Sequence, residues 1–176
     1  MKRIENYEEI QASGNFKRLI AGGYVCRIMD VEDVPMNEST GKGDYLKINY
    51  DIAVNDLKNY FLDFFEKFGY WSKSGTFMRS YKESVLGIFK HFTNCVEESN
   101  SGYKWDFDET TLKGKLVGLV LGEEEYIAND GETKTRIYVK DIKTVEQIMN
   151  NDFVVPPLKK LKFESDLMNE ATGLPF

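Results

Sequence analysis

Apolar residues recur along this chain with two different periods, which predict strands in most places and one long helix. Residues 24–31 are rich in strand-forming side chains and predict a first strand. In residues 44–52, apolar and polar positions alternate, so the apolar side chains share one face while Tyr45 and Lys47 fall on the other. The apolar run 59–65 predicts a third strand directly after this one.

The period changes between Ser80 and about Ser99, where apolar residues recur at steps of three and four and predict an amphipathic helix. Two further strands are predicted over residues 115–121 and 133–142. Residues 129–131, Asn-Asp-Gly, are typical of the turn of a hairpin between such strands. In the last strand the basic and aromatic side chains share one face: Arg136, Tyr138 and Lys140.

Three strands, a helix and a two-stranded hairpin form the element order of a five-stranded oligonucleotide-binding (OB) barrel. The sequence therefore predicts a mainly β fold with one or two helices, in which a helix joins strands three and four. We expect an N-terminal arm over residues 1–21 and the barrel domain over residues 22–155. Residues 156–176 are expected to form a linker and an acidic tail.

Composition fits one domain, because the 176 residues are 41% hydrophobic and 14% aromatic, which is ample for a core. The chain has no apolar run long enough for a membrane span, and its first residues lack an apolar signal region. We therefore expect a cytoplasmic protein.

Cys26 and Cys95 have apolar neighbours and no His or Cys at ligand spacing, which favours buried, reduced thiols over a disulfide or a zinc site.

A formal net charge of −6 argues at first against a polyanionic ligand. The charge is unevenly distributed, however. Residues 164–176 contain three acids and no base, whereas residues 67–82 contain four bases, five aromatic residues and no acid. Aromatic rings that stack on bases, together with cations that contact phosphates, bind single-stranded DNA with little regard to sequence. The candidate DNA-binding residues are Tyr45, Lys47, Tyr70, Trp71, Lys73, Phe77, Arg79, Tyr81, Lys82, Arg136, Tyr138 and Lys140.

Other aromatic residues are assigned to the hydrophobic core. At least two of Phe61, Phe64 and Phe65 are expected there, since all three lie in a dense apolar run. Trp105 is expected to cover one end of the barrel, because the acids at Asp106 and Asp108 would repel a phosphate.

The C-terminal residues predict a segment that binds partner proteins. An aromatic ring at a free chain end can enter an apolar pocket while its carboxylate meets a cation, and nearby acids steer the approach. The alternative is a polar terminus that ends on Phe without a function. The candidate partner-binding residues are Asp166, Glu170, Leu174, Pro175 and Phe176.

This ending resembles the acidic C-terminal tip of bacterial and phage single-stranded-DNA-binding proteins, which closes on Pro-Phe and recruits replication, recombination and repair enzymes. Such tips usually carry more acids than the two in the last eleven residues here. Four short strings are also similar to landmarks of a family carried by phages and prophages of Gram-positive bacteria: Ala21-Gly22-Gly23-Tyr24-Val25, Tyr45-Leu46-Lys47-Ile48, Arg79-Ser80-Tyr81-Lys82 and Tyr103-Lys104-Trp105. That family is generally regarded as similar to single-stranded-DNA-binding proteins. The resemblance covers about residues 16–160 and implies DNA coating during phage replication or recombination, in the host cytoplasm.

Catalytic interpretations find little support. His91, the single histidine, falls within the helical pattern beside Phe92 and is interpreted as structural or surface-exposed. The acids at 123–125 are typical of a solvated turn, and residues 41–43 lack the spacing of a phosphate-binding loop. We predict no enzymatic activity, no catalytic residue, no metal and no cofactor.

The predicted function is sequence-tolerant binding of single-stranded DNA, with a tail that recruits replication or recombination proteins. The alternative is a non-catalytic adaptor or modulator of a replisome or nuclease on a similar barrel, in which the basic aromatic segment is a protein interface. The oligomeric state is left open by the sequence.

Overall fold

The computed structural model describes residues 17–162. The tail residues Asp166, Glu170, Leu174, Pro175 and Phe176, and most of the predicted N-terminal arm, lie outside the described residues. The elements in chain order are β1 (Gly22–Val34), β2 (Tyr45–Ile52), α1 (Tyr60–Phe68), β3 (Thr76–Ser80), α2 (Leu86–Ser99), β4 (Leu116–Ile127), β5 (Thr133–Lys143) and α3 (Val145–Met149).

The five strands form one antiparallel sheet in the order β3-β2-β1-β4-β5. Strand β1 is long enough to pair with two neighbours, since Gly22–Arg27 pair with β4 and Cys26–Val34 pair with β2. An irregularity between Ile28 and Asp30 shifts the register where β1 passes from one neighbour to the other. The sheet curls into a nearly closed barrel of the OB type, with α2 between β3 and β4. The predicted fold class is confirmed.

The barrel interior is filled by alternate residues of the strands and by one face of α2. The apolar positions of β2 from Leu46 to Ile52 are all buried, as their alternation predicts. Helix α2 adds Phe89, Phe92 and Val96 to the same cluster. Each fully buried side chain of this size contributes about 1.5–3 kcal/mol of hydrophobic free energy, so the helix and the barrel wall stabilise one another.

The strand predicted over residues 59–65 is wrong, because these residues form helix α1. Phe61, Phe64, Phe65 and Phe68 follow one another at steps of three, one and three, which is a helical spacing that a dense apolar run conceals. Gly69, in the left-handed conformation, ends the helix. At least two of Phe61, Phe64 and Phe65 were expected in the core, but only Phe61 is buried, whereas Phe64 is half-buried and Phe65 is exposed. The third strand is therefore the short β3, inside the basic aromatic segment.

Two further boundaries differ from the prediction. Ser80 is the last residue of β3, and α2 begins only at Leu86, after a 3₁₀ turn over Glu83–Val85. Strand β4 runs on to Ile127, so the acids at 123–125 lie in a strand and do not form a turn. They are tolerated there because cations on neighbouring segments pair with two of them, Glu123 and Glu124.

The chain segments before β1 and after α3 pack against the barrel. Leu19 is buried in the core, and the ring of Phe153 lies over Gly23 so closely that an added Cβ would meet it at 2.4 Å. Lys159 lies beside β4, where its N–H donates to the carbonyl of Glu123 and its carbonyl accepts from the N–H of Glu125, both at 2.9 Å. The part of β4 that extends beyond its pairing with β1 is therefore partly covered along that edge.

None of the helices within residues 17–162 has the length and apolar character needed to cross a bilayer.

The two cysteines are free and buried. Burial raises the pKa of Cys26 well above its usual range, and the neighbouring Asp51 carboxylate raises it further. Burial also raises the pKa of Cys95, to about 11.

We expect both thiols to be inert in the native protein. The thiolate is the reactive form, so a raised pKa leaves almost none of it at pH 8. With Ellman's reagent at pH 8, the native protein should react at least about 100-fold more slowly than the protein unfolded in guanidinium chloride. Rapid native labelling of either cysteine would contradict the buried positions.

Candidate nucleic-acid interface

A cleft of about 260 Å³ lies where α1, the segment after it and the β4–β5 hairpin meet, and we call it the aromatic cleft. Its walls combine aromatic rings with two cations, and the residues that line it include Arg18, Tyr60, Phe64, Ser72, Tyr126 and Arg136. Aromatic side chains and arginines together form the kind of surface on which unpaired bases stack while phosphates meet guanidinium groups.

Helix α1, one wall of the aromatic cleft, is held in place by a carboxylate from β2. The residue before the helix, Asn59, is in the left-handed conformation and provides no side-chain cap. Instead Asp51, only 2% exposed, accepts hydrogen bonds from the N–H groups of Phe61 and Leu62, both at 2.9 Å, and from that of Ile52 at 2.8 Å. Burial raises the pKa of Asp51, and these three bonds counter part of that effect. The first turn of α1 is thus tied to the end of β2.

The segment after α1 is ordered by Trp71. Its indole Nε1 donates to the carbonyl of Gly75 at 2.9 Å, and its ring lies 6.4 Å from that of Phe61. An added Cβ on Gly75 would lie 2.8 Å from both Phe61 and the indole nitrogen, so this close approach requires glycine. Tyr70 remains 61% exposed, with its ring edge-on to Phe64 at 5.4 Å. Tyr70 therefore presents a ring beside the aromatic cleft.

The cations of the aromatic cleft are already paired. The guanidinium of Arg136 stacks on Tyr126 at 5.0 Å and donates from Nε to Glu124 at 2.9 Å. Arg18 donates from Nη2 to Glu123, also at 2.9 Å, and to the hydroxyl of Thr135. The Nζ atom of Lys159 lies 3.7 Å from Glu124. Phosphates entering the cleft would replace these carboxylates as partners of the cations.

Five of the predicted DNA-binding residues lie in or near this cleft. Arg136 lines it, Tyr70 and Trp71 contact rings that line it, and Lys73 is an exposed residue between two serines of its wall. Tyr138 is two residues after Arg136 in β5 and so lies on the same face of the strand, with its ring over Gly122.

The other predicted residues lie elsewhere on the barrel. Tyr45 begins β2, at the end opposite Asp51, and Lys47 is exposed on the outer face of β2, 3.7 Å from Glu32 of β1. Lys82 follows β3 just after Ser80, the residue that pairs with Tyr45. Lys140 is exposed and has no pairing partner in β4, because the register of β4 and β5 shifts between Val139 and Asp141.

Three residues of β3 and its end have structural partners. Phe77 is only 7% exposed and packs edge-on against Phe92, because it alternates with exposed Met78 and points inward. Arg79 shares that inward face, with its guanidinium 5.2 Å from the ring of Phe77, and burial lowers its pKa. Tyr81 donates its hydroxyl to Asp33 at 2.8 Å; burial and this bond raise the pKa of Tyr81 to about 12. These three side chains do not reach the aromatic cleft.

Sequence reasoning missed Arg18, Tyr60, Phe64 and Tyr126 as residues of the cleft. Tyr126 alternates with Glu124, and this signal appears once β4 is continued through the acids. Arg18 has no comparable signal, since its partners are more than 100 positions away in the chain.

His91 has a structural contact. Its Nε2 lies 2.9 Å from the carbonyl of Ile142, which can only accept, so Nε2 carries the proton and donates. Within residues 17–162, no group of three or more His, Cys, Asp or Glu side chains is placed to hold a metal ion.

No protein family model matches the chain, and no curated protein matches it.

Proposed function

We propose that this protein binds single-stranded DNA with little sequence preference. The observation that carries the proposal is the aromatic cleft, where rings and two arginines meet on the wall of an OB-type barrel. Stacking contributes about 1–3 kcal/mol per base and tolerates any base, since every base has a π face. Tyr70 and Tyr126 are the rings we expect to stack, with Arg18 and Arg136 contacting phosphates.

The cleft also favours a single strand over a duplex. At about 260 Å³ it can admit one or two unpaired bases, but not the stacked pairs of a helix. The resemblance to phage proteins supports a role in phage DNA replication or recombination. In this proposal residues 166–176, with Asp166, Glu170, Leu174, Pro175 and Phe176, recruit partner enzymes of the same process.

The test is a fluorescence-anisotropy titration of a labelled poly-thymidine oligonucleotide at low and at physiological salt, with a duplex of equal length beside it. We expect tight binding of the single strand, weaker binding of the duplex, and a steep loss of affinity with salt, because the release of counterions into a more concentrated solution gains less entropy. No binding of the single strand at low salt would refute the proposal.

One observation favours the adaptor function as a second candidate. Phe65, Phe68 and Tyr70 are all exposed along α1 and the residues just after it, which is a concentration of rings typical of protein interfaces. Binding through such an apolar surface would change little with salt, whereas phosphate binding would weaken steeply. Salt dependence therefore separates the two candidates.

The glutamates of β4 should limit DNA affinity. Glu124 pairs with both Arg136 and Lys159, so a phosphate must displace it. We expect Glu124→Gln to raise affinity for the poly-thymidine probe about two- to fivefold at low salt, an effect that shrinks as salt screens the charges. Glu132→Gln removes the same charge from the hairpin turn and is the matched control. Equal gains in both variants would indicate a general charge effect.

A further inference from the structure

A second cavity, of about 360 Å³, lies at the other end of the barrel, and we call it the acidic-rimmed pocket. It includes Asp33 near the end of β1 and Leu46 near the start of β2, whereas Asp51 and the aromatic cleft lie at the far end of β2. At about 3.3 Å per residue, β2 separates the two sites by roughly 20 Å. The two surfaces can therefore be occupied independently.

The walls of the acidic-rimmed pocket are aromatic and aliphatic. The ring of Phe89 packs edge-on against Tyr81 and Trp105, with centroids 6.0 Å apart in each pair, and Leu86 adds an exposed aliphatic side. The size is at the lower end of the range of about 300–1,000 Å³ for ligand pockets. This volume suits one or two inserted side chains better than a large cofactor.

Phe107 stands at the mouth of this pocket in an unusual conformation. It is 86% exposed, and its φ of 65° lies in the left-handed region, which is rare for an aromatic residue. Its ring centroid is 5.9 Å from that of Trp105. An aromatic side chain held in solvent at the cost of backbone strain is a feature of binding surfaces. Phe107 is thus placed to close over an inserted side chain.

The charged side chains that line the pocket are both acidic, and the bases next to its lining residues in the chain, Lys82 and Lys104, are not among the lining residues. Two of the residues that line it are charged, Asp33 and Glu109, and Asp106 and Asp108 flank Phe107 in the chain. A phosphate or an acidic peptide, including a segment like residues 164–176, would be repelled here. A cationic ligand would be attracted, and the apolar walls would bury its hydrophobic part.

We propose that the acidic-rimmed pocket docks a segment of a partner protein in which an aromatic or leucine side chain is flanked by lysine or arginine. The hydrophobic side chain enters between Leu86, Trp105 and Phe107, and the flanking cations meet Asp33 and Glu109. The indole Nε1 of Trp105 is a buried nitrogen without a hydrogen-bond partner among the described residues, and a peptide carbonyl would become its acceptor only if the ring shifts as the side chain enters. This surface would hold a protein while the aromatic cleft is free for nucleic acid.

The test uses blocked hexapeptides and the indole N–H signals of the ¹⁵N-labelled full chain. The chain has two tryptophans, so Trp71→Phe assigns the signal of Trp105. We expect the peptide Lys-Arg-Leu-Phe-Lys-Arg to shift the Trp105 signal in a saturable way. The peptides Glu-Glu-Leu-Phe-Glu-Glu and Lys-Arg-Ser-Ser-Lys-Arg should bind at least about tenfold more weakly, since each lacks one of the two recognised features.

Two exposed phenylalanines provide a matched pair of variants. Phe107→Ser should weaken binding of the basic peptide by about tenfold, whereas Phe68→Ser, which removes an exposed ring from α1, should leave it unchanged. Equal binding of the acidic and basic peptides, or shifts that leave the Trp105 signal in place, would overturn the proposal. So would saturation of the Trp105 signal by poly-thymidine, by a peptide of residues 166–176, or by self-association of the chain.

Discussion

Replacing Arg18 and Arg136 together by alanine is expected to lower affinity for the poly-thymidine oligonucleotide by about 10- to 100-fold at low salt. Both guanidinium groups line the aromatic cleft, and Arg136 also holds the ring of Tyr126 by stacking on it. Two lost phosphate contacts should reduce the slope of log affinity against log salt by about 1.4, at roughly 0.7 per contact on a single strand. Anisotropy titrations at several salt concentrations measure both quantities.

The control for this variant removes two cations from a different surface. Lys104 and Lys113 lie on exposed turns between α2 and β4, and their double alanine variant has the same net charge as the arginine pair. We expect it to lose less than about threefold in affinity, through long-range electrostatics alone. Equal losses in both double variants would show that the cleft has no special role. Thermal unfolding of each variant checks that the barrel is intact.

Replacing Asp51 by alanine is expected to reduce the free energy of unfolding by about 2–4 kcal/mol. The side chain accepts three backbone N–H bonds in a place that is almost closed to water. Each buried donor without an acceptor costs about 1–3 kcal/mol, and relief of a desolvated carboxylate offsets part of the sum. Asp51→Asn should also destabilise, because the amide nitrogen cannot accept a bond from these donors. Urea unfolding followed by far-UV circular dichroism measures the change.

The matched control is Asp63→Ala, which removes an exposed acid from the same helix. We expect it to cost less than about 1 kcal/mol, since it loses only a favourable position in the first helical turn. Asp51→Ala should also weaken binding of the oligonucleotide, because α1 forms one wall of the aromatic cleft. If Asp51→Ala and Asp63→Ala were equally stable, the carboxylate of Asp51 would not be the anchor of α1.

The predictable parts of this fold are those where local pattern and tertiary environment agree. The alternation in β2 predicted which residues are buried because one face of that strand covers the core. The Asn-Asp-Gly turn predicted the β4–β5 hairpin because few other residues fit such a turn. Helix α1 was predicted as a strand because residues 60–65 are apolar at every position but one, and the helical steps of its phenylalanines are hard to see in so dense a run.

The candidate site shows the same division. Tyr70, Trp71 and Arg136 could be predicted from a basic aromatic composition and from the strand pattern. That composition also selected Phe77 and Arg79, which face inward, because composition does not record on which face of a short strand a side chain falls. Arg18 lines the cleft through bonds to residues more than 100 positions away in the chain. Tyr126 lines it because β4 continues beyond the predicted strand.

By itself, the sequence determined the mainly β class, four of the five strands, the long helix α2 and the location of a basic aromatic segment, because periodicity and turn residues act over a few neighbouring positions. Only the tertiary structure decided that Asp51 anchors α1, that glutamates of β4 hold the cations of the cleft, and that Asp33 and Phe107 meet at one pocket. These contacts join residues far apart in the chain, and strand register and barrel closure, which no local pattern specifies, bring them together.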